Sequence, residues 1–123
     1  MPEMDVALKD AMQIGGAIGA ALVDASSGMA LGLVGGGRDF DVTIAAAGTT
    51  DVVRAKMRAM EMLGLTDKIE DILTTMSGQY HLIRPLTSQT GRGLFLYLIL
   101  NKDTANLAMA RHQLKRIEVG LDL

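Results

Sequence analysis

Residues 39–63 read DFDVTIAAAGTTDVVRAKMRAMEML, and the fold turns on how this stretch is interpreted. At about 100° per residue it is helical, and it carries two apolar stripes where a surface helix normally carries one. Gly48, Val52, Ala55, Ala59, Met62 and Leu63 share one broad face. Val53, Met57 and Met60, with Ala46 below them, share a second face. Thr49 and Lys56 separate the two on one side, and Asp51, Arg54, Arg58 and Glu61 on the other. Two apolar faces require two surfaces to pack on. This reading assigns the broad face to the chain's own sheet. The methionine face goes to a second molecule, because no segment is left over to cover it.

Upstream, Pro2-Glu3-Met4 opens a short helix in which Met4, Leu8, Ala11 and Met12 recur at helical spacing, and Gly15-Gly16 stops it. Residues 18–25 and 29–34 read as two strands joined at Ala25-Ser26-Ser27-Gly28, which makes a hairpin. Gly35-Gly36-Gly37 leads into the long helix, and Gly64 takes the C-cap role at its end. Downstream, KIEDILTTM (68–76) offers apolar residues to both sides and reads as a strand at a sheet edge. QYHLIRPL (79–86) is a fourth strand with Pro85 at its end, since proline cannot donate to a ladder. LFLYLIL (94–100) is an unbroken apolar run and belongs in the middle of the sheet, buried on both faces. Residues 101–103 supply the cap of a last helix with Leu107, Ala110, Leu114, Ile117 and Leu121 as its apolar stripe and the remainder solvated. The predicted fold class is an α/β (α+β) sandwich in the order α-β-β-α-β-β-β-α. A single five-stranded, mostly antiparallel sheet carries helices on both faces, and one domain spans residues 1–123.

Composition narrows the function. At 123 residues with 49% hydrophobic content the chain builds one core. A net charge of -2 and an aromatic share of 3% leave no basic field for a phosphate backbone and few stacking platforms, so nucleic acid is not an expected partner. Without cysteine there is no disulfide, thiolate catalyst or sulfur-rich metal site, which suits a reducing compartment, and the cytoplasm is the expected location. The apolar stretch 14–34 is broken by Asp24-Ala25-Ser26-Ser27-Gly28 into pieces too short to cross ~30 Å of hydrocarbon. The opening MPEMDVALKDAM is acidic and mixed, unlike a secretion signal.

Candidate chemistry is sparse. Gly35-Gly36-Gly37-Arg38-Asp39 follows a strand and precedes a helix, as a phosphate cradle does, but lacks the Gly-Lys-Ser/Thr ending and the spaced glycines of nucleotide loops; it reads as a connector. His81 and His112 lie far apart, with no second ligand at metal spacing, and each reads as structural or solvated. Glu70-Asp71 solvates an edge, and Ser26-Ser27-Gly28 is a turn without a partner base. No carboxylate stands alone in an apolar stretch as a tuned acid would. No catalytic residue, cofactor or metal is expected. Asp51, Arg54, Arg58 and Glu61 read either as a solvated face or as a polar rim that contacts a partner.

The hairpin AALVDASSGMAL, the helix ending MEMLGL, the strand pair DKIEDILTTMSGQYHLIRPL, the strand LFLYLIL and the segment NKDTANLAMARHQLKRIE together resemble the roadblock/dynein-light-chain family. The resemblance is to its bacterial MglB-like branch, regulators encoded near small Ras-like GTPases, and spans roughly residues 9–121. It implies a homodimer in which the third strands pair edge to edge into one ten-stranded sheet and the long helices pack side by side across a twofold axis. Val53, Met57 and Met60, with Ile69, Ile72, Leu73 and Met76 of the edge, would form the interface. It also implies a protein with no chemistry of its own that binds a small Ras-like GTPase, as an activator or as an adaptor. Arg38, Arg54, Arg58 and Arg92 each have a plain surface or loop reading, so none is assigned as an arginine finger. The alternatives are a dimeric structural or signalling module without a GTPase, and a small-molecule or nucleotide sensor at the glycine loop.

Overall fold

The apolar run expected at the centre of the sheet is there: Leu94–Asn101 lies between the first and fourth strands and is buried on both sides. Its alternation explains why no polar residue interrupts it. Leu96, Leu98 and Leu100 enter one core, and Phe95, Tyr97 and Ile99 enter the other. Each such side chain, fully buried, contributes about 1.5–3 kcal/mol.

The computed structural model describes residues 3–37 and 40–121. Its elements are α1 (Met4–Met12), β1 (Ala17–Asp24), β2 (Ala30–Gly35), α2 (Val42–Met62), β3 (Ile72–Thr75), β4 (Gln79–Pro85), β5 (Leu94–Asn101) and α3 (Leu107–Gly120). The sheet order is β2-β1-β5-β4-β3, with every neighbouring pair antiparallel. α1 and α3 cover one face through Ala7, Leu8, Ala11, Ala110 and Leu114, and α2 covers the other. β2 and β3 are the two edges.

Several boundaries differ from expectation for local reasons. Pro2, Arg38 and Asp39 lie outside the described residues, and α2 begins after Asp41, whose carboxylate accepts from the amides of Thr43 and Ile44. Gly64 has φ 68°; its amide donates to Glu61 O and that of Leu65 to Met60 O, the paired bonds that end a helix in a left-handed glycine. The edge strand shrinks to β3, so Ile69 and Met76 fall outside it. Asn101 closes a turn by accepting the Asp103 amide, and α3 is capped instead by Asn106, which accepts from Met109.

The largest correction concerns α2. Val42, Ala46, Thr50 and Val53, spaced 4, 4 and 3, are its buried residues and seat on the sheet. The methionine stripe is therefore the continuation of the inward face, and the broad stripe faces away from the core. Thr50 disguises this in the sequence: its hydroxyl donates to Ala46 O at 2.9 Å, so a polar residue is buried at little cost. Val53, expected at an interface between copies, is part of the chain's own core.

Candidate functional site

With the inward stripe of α2 satisfied by the sheet, what remains is an apolar outer surface. Ile44 is 70% exposed, Val52 48%, Met62 86% and Leu63 71%. On one flank Thr50 and Ala47 approach Gly28 of the β1–β2 turn, so the opposite flank, with Ala45, Thr49 and Val52, turns toward β5, β4 and β3. On that side of the sheet Ile72 pairs with Ile83, and Thr74 with His81. Ile72 and His81 are only partly covered and Thr74 is exposed. An exposed helix flank thus borders a partly exposed stretch of sheet that ends in the unpaired edge β3.

Beyond Val53 the helix no longer seats on the sheet. A cavity of about 510 Å³ separates its C-terminal half from the ends of β4 and β5. Val53, Met57, Met60, Pro85, Leu86 and Phe95 form its apolar lining, and Glu61, Asp67, Lys68, Gln89 and Arg92 also border it. Met57 is exposed and Met60 half-buried, so these two line the cavity without closing it. Ile69, at intermediate burial, also lines it; Leu73 packs against the α1/α3 core, and Met76 is exposed.

The charged stripe divides. Arg54 is not free: its guanidinium donates to Ala25 O (2.7 Å from Nε) and to Ser26 O, clamping the β1–β2 turn to α2. Within that turn the Asp24 carboxylate accepts from Ser26 N, Ser26 Oγ and Ser27 Oγ, and these bonds, the backbone one foremost, hold its pKa below the ordinary aspartate value. The serines are thus turn-forming. Asp51, Arg58 and Glu61 stay exposed on the outer surface.

His81 is held by two neighbours. Its Nε2 meets Gln79 Oε1 at 2.9 Å, an acceptor only, so Nε2 carries the proton and Nδ1 accepts from the Tyr97 hydroxyl at 2.6 Å. Phe40 packs edge-on against its ring. Desolvation lowers the histidine pKa and raises that of Tyr97. His112 is exposed on α3. Among the described residues no group of three His, Asp or Glu side chains is placed to hold a metal ion, and no helix is long and apolar enough to cross a membrane.

The glycine loop uses its own amides. Gly36 N–H donates to Ile18 O and Gly37 N–H to Phe40 O, which removes two of the donors a phosphate cradle would need.

One feature went unseen in the sequence. Glu118 and Arg84 are buried together, with Arg84 Nε donating to Glu118 Oε1 at 3.0 Å. Thr87 donates from N and Oγ1 to Oε2, and Arg84 Nη1 donates to Glu70 O. Glu118 sits four residues after Leu114 and three before Leu121, on the apolar stripe of α3, and that spacing was the available signal. Of the acidic pair at the edge, Asp71 takes a two-pronged bond from Arg111.

No protein-family model matches the sequence, and no curated protein does. Solved structures do share the arrangement. MglB of Myxococcus xanthus superposes with a TM-score of 0.73 at 20% identity, over 92% of this chain and 77% of that one. A Roadblock/LC7 domain from Streptomyces avermitilis gives 0.78 at 13% identity, over 96% and 93%. The gliding protein MglB of Thermus thermophilus gives 0.69 at 16%, over 92% and 86%. With its α-β-β-α-β-β-β-α order and all-antiparallel five-stranded sheet, the chain has the roadblock fold.

Proposed function

We propose that this protein is a homodimeric, non-catalytic regulator or scaffold that binds a small Ras-like GTPase, as an activator or an adaptor. The observation that carries the reading is α2. Its sheet-facing stripe is already satisfied within the chain, yet its outer surface leaves Ile44, Val52, Met62 and Leu63 exposed. One flank of α2 faces the partly exposed stretch of sheet that ends in the open β3 edge, so two copies joined there would cover Ile72, Thr74 and that flank together. The likeness to MglB structures supports a fold used in regulation, and the GTPase partner rests on the family resemblance of the sequence.

The corrected geometry changes which residues serve the proposed dimer. Val53 is excluded by its burial. Val52 replaces it, with Ile72 and the edge of β3. Met57 and Met60 border the cavity, where a partner's side chains would meet them. Asp51, Arg58 and Glu61 remain for a GTPase contact, while Arg54 is committed to the turn.

A pull-down scored with the GTPase in its GTP and GDP states tests the reading. Nucleotide-dependent capture is expected; capture in neither state leaves the structural or signalling module as the better description. Light scattering at micromolar concentration tests the dimer separately, and a single-chain mass removes it.

A further inference from the structure

A second hollow, a cleft of about 480 Å³, lies between α3 and the segment that precedes β3, and Arg84 of β4 borders it. Along β4, Arg84 alternates with Leu82 and Leu86, both members of the α1/α3 core, and it pairs with Leu96 of the same core. An arginine is out of place in that row, and its side chain is only 9% exposed. Burying a guanidinium is costly unless its charge and its donors are matched. The match here is incomplete. Glu118 accepts from Nε but also serves Thr87 N and Oγ1, and Nη1 donates to Glu70 O. Nη2 donates to no described residue. Among the described residues no sealed side-chain nitrogen lacks a partner, so Nη2 reaches solvent, and the cleft is what Arg84 borders.

Arg111 is held in the same manner. Its Nε and Nη2 grip Asp71 at 3.0 and 3.1 Å, its Nη1 donates to no described residue, and it borders the cleft too. Each guanidinium is thus fixed by a carboxylate on its Nε side with a nitrogen left over, so little side-chain freedom is lost when an anion arrives. Lys68 and Lys115 border the same cleft, both exposed and in no ion pair among the described residues. With the arginines balanced by Glu118 and Asp71, and His112 counted as neutral, the two lysines face Glu70 alone. The cleft is therefore net positive in a chain whose net charge is -2.

We infer that this cleft binds a phosphate group, as inorganic phosphate or as the phosphate of a small monoester. Cationic donors border it from three segments, the stretch before β3, β4 and α3, which suits a tetrahedral oxyanion with acceptor oxygens on every side. A carboxylate offers two oxygens in one plane and would leave donors unused. The volume leaves room for an organic group beside the phosphate. The site shares no residue with the outer surface of α2, so it stands or falls independently of the proposed dimer and GTPase.

NMR of the isotope-labelled full chain tests this by titration with inorganic phosphate, methyl phosphate and acetate at an ionic strength fixed with sodium chloride. Saturable shifts at residues 68–71 and 111–115 and at the Arg84 side chain are expected with phosphate, and only weak, unsaturated shifts with acetate. Methyl phosphate bound at least as tightly identifies the monoester as the ligand; weaker binding identifies the free ion. Lys115→Glu, at an exposed position, is expected to weaken phosphate binding by roughly tenfold or more with Tm unchanged. Lys9→Glu on α1 makes the same change of charge away from the cleft and is expected to leave binding as it is. Arg84→Met with Glu118→Leu removes the guanidinium without stranding a charge and is expected to abolish binding; should that pair fail to fold, Lys115→Glu against Lys9→Glu decides. No saturable shift in the wild type, equal binding of acetate, equal weakening by Lys115→Glu and Lys9→Glu, or binding retained in the folded double variant overturns the site.

Discussion

Val52 and Val53 are neighbours with opposite destinies, and substituting each tests the orientation of α2. Val53 is buried among Phe95, Ala46 and the residues around them, while Val52 is about half exposed on the outer surface. Val53→Ala removes two methyl groups. At about 0.8 kcal/mol each the transfer loss is about 1.6 kcal/mol. A void of ~50 Å³ at about 24 cal/mol per Å³ adds about 1.2 kcal/mol if nothing moves. Val53 already borders the cavity beneath Met57 and Met60, so neighbours can relax into the gap, and about 1.5–3 kcal/mol is expected overall. For a chain of this length that is a fall of roughly 6–12 °C in Tm. Val52→Ala stays within about 0.5 kcal/mol in the isolated chain, as exposed substitutions do. Val52→Asp keeps the fold but weakens association. Urea unfolding followed by circular dichroism, at a concentration where the protein is a single chain, separates these outcomes. If Val52→Ala costs as much as Val53→Ala, or Val53→Asp yields a stable folded monomer, the orientation of α2 is wrong.

Other consequences follow from particular contacts. Glu118→Ala strands the buried Arg84 guanidinium and the Thr87 donors and should cost about 3–5 kcal/mol, whereas Arg84→Met with Glu118→Leu should recover most of that; equal losses in a urea titration would argue against a buried pair. The His81 pKa is lowered in the fold, so the unfolded chain binds its proton first as pH falls through about 6.5. Stability is therefore present above that value and lost as pH drops toward the folded pKa. The difference in Tm between about pH 7.5 and about pH 5.5 should shrink in His81→Asn, and an unchanged difference would assign the slope to other groups. Gly35 has φ 75°, and a Cβ there would collide with Ile18 O; Gly35→Ala should cost more than the ~1 kcal/mol of an ordinary glycine replacement, and a neutral Tm would contradict the strained geometry.

Patterns with one physical explanation were legible. The run 94–100 has no polar residue because both of its faces are buried, so its central place could be read directly. Pro85 ends β4, and Gly64 ends α2 with a positive φ, because backbone chemistry admits few alternatives. The failures come from residues whose polarity is cancelled by a partner distant in sequence or by the helix itself. Thr50 hides its hydroxyl on Ala46 O, Glu118 is neutralised by Arg84 from another element, and Arg54 is drawn to carbonyls of a turn 28 and 29 residues away. Periodicity sees the polar atom and not its partner. That is why α2 could be recognised as a helix with two apolar faces while the faces were assigned in reverse: the broad face holds more apolar residues, but the stripe at 42, 46, 50 and 53 holds the closer fit to the sheet.

The same reversal decides how function sits on the fold. The stripe that anchors α2 and the surface proposed to meet partners lie on different sides of one helix, with Ala45, packed against the core beneath α2, on the flank between them. Substitutions on the outer surface therefore change recognition at small cost in stability, and substitutions on the inner stripe change stability before they reach recognition. Arg58 and Glu61 lie on the first kind of position, both exposed, with Glu61 bordering the cavity. A charge reversal at Arg58 should alter partner capture without moving Tm, whereas the same reversal at Arg54 frees the β1–β2 turn and lowers both. If Arg58→Glu and Arg54→Glu behaved alike, recognition and stability would not be divided between the faces of α2 as its contacts place them.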